Sequence, residues 1–158
     1  MTEVVAIDTN IWHIAHIKPK ELEFVSIHQR TREFLLELVR DEGIIIAMTA
    51  YQVCEILDLF RRANMILSER KELLEDFYSS GFLIKDILSF DAKVCLSKSL
   101  ISGIHIYDYL VAIPLKGIVT KIYSADDHFQ HKDFKEIAEV INPVSPWILR
   151  EGKRPERR

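Results

Sequence analysis

The stretch Val4-Val5-Ala6-Ile7-Asp8-Thr9-Asn10 decides how this chain reads. A short apolar run ends abruptly on an acid followed by two small polar residues. Such a run is the mark of a strand buried on both faces, as in a parallel sheet. In open parallel α/β sheets the binding crevice lies outside the carboxyl ends of the strands, so the first polar residue after the strand points into it. An acid there gains chemical meaning once other acids converge on it.

Four more segments share that character: Ile44 to Met48, Phe82 to Ile87, Lys121 to Ser124 and Glu139 to Ile141. Between them the apolar spacing becomes helical. Ile27 to Arg40 carries Phe34, Leu35, Leu38 and Val39, while Tyr51 to Ala63 turns Val53, Cys54, Ile56, Leu57 and Phe60 inward. Ser68 to Tyr78 carries Leu73, Leu74 and Phe77 behind an expected N-cap at Ser68. Phe90 to Ile101 follows the third strand, and Tyr107 to Leu115, apolar nearly all round, reads as a buried helix. Gly103 punctuates the last two helices and Gly117 ends the second. Strand and helix alternate from end to end, which implies an α/β fold with a parallel sheet covered by helices on both faces.

A length of 158 residues suits one domain. With 48% hydrophobic and 28% charged residues the composition excludes a disordered or fibrous class. Cys54 and Cys95 lack C-x-x-C spacing and lie in apolar-periodic segments, so they read as reduced core residues and offer no zinc site. No segment approaches the roughly 20 apolar residues of a membrane span, and a cytoplasmic protein is expected. The net charge of -3 gives no general attraction to nucleic acid. Residues 150–158 are locally basic, a tail that could touch phosphates or simply be solvated.

Three further carboxylates could share the crevice with Asp8. Glu55 lies about one helical turn after the second strand, bracketed by Cys54 and Ile56. Asp108 is the only acid on the most apolar helix, and Asp126 follows the fourth strand as Asp8 follows the first. Each has an ordinary alternative. Asp8, Asp108 and Asp126 could cap helices, and Glu55 could join Asp58 and Arg62 in a surface ladder. Four such placements rarely fall together on one edge of a sheet. Clustered carboxylates repel one another unless cations neutralise them, and all-oxygen ligands suit Mg²⁺ or Mn²⁺. The implied chemistry is phosphodiester hydrolysis.

On these residues the chain resembles the PIN domain family, nucleases that include the VapC-type toxins of prokaryotic toxin-antitoxin pairs. The resemblance runs from Val4 to about Pro143. It rests on Ile7-Asp8-Thr9-Asn10, Glu55, Asp108 with Ala112, and Ser124-x-Asp126-x-x-Phe129. It implies a three-layer sandwich with strand order 3-2-1-4-5, a domain over 1–148 and a flexible basic tail over 149–158. It also makes Asp8, Glu55, Asp108 and Asp126 the catalytic and metal-holding quartet for one or two Mg²⁺ or Mn²⁺ ions. Thr9, Asn10 and Ser124 match small polar positions that orient those acids, and Asp127 is expected to support them from behind. Many relatives place an acid where His128 stands, a departure in this chain. Asp58 and Asp91 remain spare acids whose helical positions leave them open as further members of the site.

The same resemblance implies an RNA substrate, a separate antitoxin protein as partner and a homodimer. Apolar residues at Ile56 to Ile66 and Phe77 to Phe82 are the only indirect sequence support for pairing. A non-toxic PIN protein in RNA processing, or one that binds RNA with little turnover, is the alternative. An aspartyl-phosphate phosphatase needs a second acid at position 10, which is Asn. A receiver domain needs an acidic pair near the start, whereas Asp126 and Asp127 lie near the end. The six histidines, with His13 and His16 at i, i+3, lack structural-zinc spacing and read as surface or satisfied residues. His105, His128 and His131 could at most touch RNA.

Overall fold

The structure, a computed structural model, describes residues 2–150. Strands β1 (Glu3–Ile7), β2 (Ile44–Thr49), β3 (Leu83–Lys85), β4 (Lys121–Tyr123) and β5 (Glu139–Ile141) form one sheet. Its order is β3-β2-β1-β4-β5 and every pairing is parallel, as the resemblance implied. The helices are α1 (Thr9–His16), α2 (Val25–Arg40), α3 (Ala50–Arg62), α4 (Leu67–Ser79), α5 (Ser89–Ser102), α6 (Ile106–Ala112) and α7 (Lys132–Lys135).

Because side chains alternate across a strand, each central strand feeds two cores. Val5, Ile7, Ile46 and Met48 pack with Ile11, Trp12, Leu35, Val53, Ile56, Phe60 and Phe77 from α1 to α4. Ala6, Ala47 and Ile122 face the opposite layer, with Cys95, Tyr109, Ala112, Phe129 and Phe134. Three layers result, and the sheet is dry on both faces. Small residues, Ala6 and Ala47, stand opposite the rings of the second core, so the layers approach closely.

Several local expectations need correction. Helix α1 is absent from the sequence reading because eight residues give only two turns, too few for the spacing of Ile11, Trp12, Ile14 and Ala15 to stand out. Cys54 is exposed rather than inward. Val53, Ile56 and Phe60 share one stripe of α3, and Cys54 falls a step outside it. Ser68 is no N-cap: α4 begins at Leu67 after Ile66. The chain passes through the left-handed Asn64, at φ 63°, after α3, and Ile66 takes the cap position two residues before Ser68. The buried segment from Tyr107 divides into α6 and a 3-10 turn at Ile113–Leu115, and Tyr107 itself is 55% exposed. Leu149, expected in the tail, is buried and donates its N–H to the Ala125 carbonyl at 2.8 Å. Residues 151–158 of that tail lie outside the described residues.

Two substitutions separate packing from backbone strain. Phe60 is fully buried in the first core, so Phe60→Ala should cost about 3–5 kcal/mol in urea denaturation. Gly103 caps α5 at φ 77° with open space where a Cβ would stand. Gly103→Ala should therefore cost only about 1–2 kcal/mol, all of it backbone strain.

Candidate metal centre at the reversal of the sheet

The chain places β2 and β3 on one side of β1, then crosses to lay β4 on the other, so the strand order reverses between β1 and β4. Such a reversal opens a crevice at the carboxyl ends of the strands. Ile7 pairs with Tyr123, which sets Asp8 beside Ser124, the first residue after β4. The Asp8 N–H continues the ladder by donating to the Tyr123 carbonyl at 2.9 Å.

Asp8 occupies the N-cap position of α1, but its carboxylate makes no cap hydrogen bond. Its backbone carbonyl accepts from Ile11 N–H at 3.0 Å, leaving the side chain for the crevice. There Oδ2 accepts from the Ser124 hydroxyl at 2.9 Å. The same hydroxyl oxygen accepts the Asp126 N–H at 3.0 Å, so one serine fixes both strand-end acids. Asp126 does cap the short 3-10 helix Asp127–Gln130, its Oδ1 accepting from His128 N–H at 2.9 Å. Its other oxygen accepts from the Asn10 amide at 3.2 Å. The cap reading and the site reading both describe Asp126.

Asp108 lies in the first turn of α6, where His105 occupies the cap position. Its Oδ2 stands 3.0 Å from His128 Nδ1. Glu55 does not join a surface ladder, since Asp58 pairs instead with Arg61 at 2.8 Å and Arg62 at 3.1 Å. Glu55 accepts from the Tyr51 hydroxyl at 2.6 Å, and the Tyr51 ring is stacked on that of Tyr107. Asp91, the other spare acid, accepts from Leu88 N–H at the start of α5. Asp127 is exposed, its N–H donating to the Leu149 carbonyl at 3.2 Å.

The Thr9 hydroxyl accepts a long hydrogen bond, 3.4 Å, from Gln52. Gln52 is fully buried and donates to the Ile7 carbonyl at 2.5 Å. It thereby clamps the start of α3, the helix that carries Glu55, to the end of β1. Nothing in the spacing of Gln52 on an apolar face signals this role. Tyr51 was legible only as the residue one helical turn before Glu55.

Asp8 and Asp108 respond to the acids around them. Burial raises the Asp8 pKa well above its ordinary value, and the charges of Asp126, Asp108 and Glu55 raise it further against the Ser124 hydrogen bond. Asp108 is raised by burial and then by Asp126, with the His128 hydrogen bond opposing. Asp108, Asp126 and His128 each offer a ligand atom, all within 4.8 Å of one another. Hard oxygen donors, a surplus of negative charge and this convergence fit a divalent cation. His128 is the member that spacing missed, because a lone histidine beside two acids carries no zinc pattern.

A raised carboxyl pKa costs stability as pH rises. The cost is absent below the unfolded value near 3.8 and complete above the folded one. Asp8→Asn keeps an oxygen for the Ser124 hydroxyl while removing the charge. The metal-free variant should therefore melt at or above the wild-type temperature at neutral pH, with the gap closing toward pH 4. Melting curves across that range check it, and a marked loss of stability would restore Asp8 to a purely structural role.

Protein-family models and curated proteins yield no match to this sequence. Among solved structures, a chain in the crystal structure of VapBC2 from Rickettsia felis bound to a DNA fragment from their promoter is similar. It shares 16% identity at a TM-score of 0.55, over 88% of this chain and 98% of that one. At that identity the likeness is one of fold, and it covers nearly all of both chains.

Proposed function

We propose that this protein is a divalent-metal-dependent endoribonuclease, the cytoplasmic toxin of a toxin-antitoxin pair. The observation that carries the reading is the grouping of Asp108, Asp126 and His128 at ligand distance, with Asp8 tied to Asp126 through the Ser124 hydroxyl and the charge of Glu55 felt by both Asp8 and Asp108, at the reversal point of a parallel sheet. Bound Mg²⁺ or Mn²⁺ would neutralise them, activate a water and stabilise charge on the attacking and leaving oxygens of a phosphodiester. Asp8, Asp108 and Asp126 are the holding residues, with Ser124 and Asn10 fixing the carboxylate planes. Glu55, oriented by the Tyr51 hydroxyl, would add its charge from α3.

The toxin assignment draws on the sequence resemblance and on the fold shared with a VapBC2 chain. An antitoxin segment carrying a basic residue would complement the acidic pocket and displace its metal. A homodimer belongs to the same reading. Within the ranges the sequence offered, Ile56, Phe60 and Phe77 are core while Ile66 and Tyr78 are exposed, and Leu96, Leu100 and Ile101 of α5 give further exposed apolar surface. No helix among the described residues is long and apolar enough to cross a membrane.

The test is direct. Purified protein is incubated with structured and unstructured RNAs, with Mg²⁺, Mn²⁺ or chelator, beside Asp8→Asn. Cleavage should need metal and should fall at least about a hundredfold in the variant, by analogy with losing a group that stabilises transition-state charge. Cutting that survives both chelation and the substitution would defeat the proposal. A small neighbouring gene for a DNA-binding protein would favour the toxin reading over RNA processing.

A further inference from the structure

His128 is the member of the pocket that an all-carboxylate centre leaves unexplained. We propose that its imidazole is a nitrogen ligand of the centre and makes the site select a borderline transition ion, such as Mn²⁺, Co²⁺ or Ni²⁺, over Mg²⁺. This rests on the metal-dependent reading above and narrows which ion that reading takes.

The spacing fits a coordination shell. His128 Nδ1 stands 3.0 Å from Asp108 Oδ2 and 3.7 Å from Asp126 Oδ1. Ligand atoms about 2.1 Å from one ion lie about 3 Å apart at right angles and about 4.2 Å apart when opposite. One ion could therefore bridge the three with small side-chain adjustments. Nδ1 is the nitrogen that faces Asp108, and coordination through it requires the tautomer protonated at Nε2.

The placement is also built by the backbone. His128 N–H donates to Asp126 Oδ1, and Phe129 N–H donates to the Asp126 carbonyl at 3.1 Å. Phe129, fully buried against Phe134, anchors that turn in the second core. Carboxylate and imidazole are thus carried as one unit, with the His105 ring 6.1 Å away between centroids.

Ligand chemistry supplies the selectivity. Mg²⁺ is held by oxygen and gives up water reluctantly, whereas imidazole suits first-row transition ions, with affinity rising from Mn²⁺ through Co²⁺ to Ni²⁺. A neutral nitrogen in place of a carboxylate also lowers the negative charge that attracts Mg²⁺. A plain imidazole–carboxylate hydrogen bond with no ligand role is the competing account.

The full-length protein, His128→Asp and His128→Ala are titrated calorimetrically with MgCl₂, MnCl₂ and NiCl₂ at one pH. Electron spin-echo modulation of bound Mn²⁺ then reports a coordinated imidazole nitrogen. The wild type should prefer Mn²⁺ and Ni²⁺ to Mg²⁺, and His128→Asp should shrink that preference by roughly tenfold or more. Nitrogen modulation should be present in the wild type and absent from both variants. An unchanged ion preference, or no nitrogen signal dependent on His128, overturns the proposal, and so does failure to bind any of the ions. RNA cleavage with a preference indifferent to His128 would leave the nuclease reading standing alone. A His128-dependent nitrogen signal without RNA cleavage would do the reverse.

Discussion

Mutual repulsion among carboxyls at one end of a dry parallel sheet is the constraint on which the rest of this structure depends. Asp8 and Asp126 are nearly inaccessible, at 3% and 6% exposure, and burial of an ionised acid is costly without compensation. The compensation visible in the chain is neutral: the Ser124 hydroxyl, the Asn10 amide and backbone N–H groups. These donors fix where each oxygen points without cancelling its charge. The carboxylates are thus oriented while their repulsion is left uncancelled.

The scaffold makes that arrangement affordable by separating stability from chemistry. Two apolar cores lie on opposite faces of the sheet, while the acids gather beyond the strand ends. Gln52 joins the two regions, since its amide reaches from α3 to the last carbonyl of β1. Phe129 does the same on the other side, its buried ring holding the turn that carries Asp126 and His128. Each candidate ligand is therefore one or a few residues from a packed anchor.

The acids themselves were legible in the sequence because each stands out against an apolar background, at a strand end or on an apolar helix. Their neighbours were harder to read. Tyr51, Gln52 and His128 are unremarkable in spacing, and they acquire roles only through partners that are remote in sequence or hidden by the helix face. Cys54 and Ser68 show the opposite failure, where a plausible local pattern is overruled by the stripe that α3 buries and by the start of α4 at Leu67, one residue ahead of the serine.

Strand and helix alternation, the two-faced burial of the strands and the identity of the acids follow from the sequence by itself, because periodicity and solvation are local. Which of those acids meet, and through which oxygens, was decided only by tertiary structure. The crossing from β3 to β4 lays the end of β4 against the end of β1, so residues more than a hundred positions apart share one hydroxyl and one pocket. Distance in three dimensions, absent from any local pattern, is what turns Asp8 from a residue at a helix cap position into one wall of a candidate metal centre.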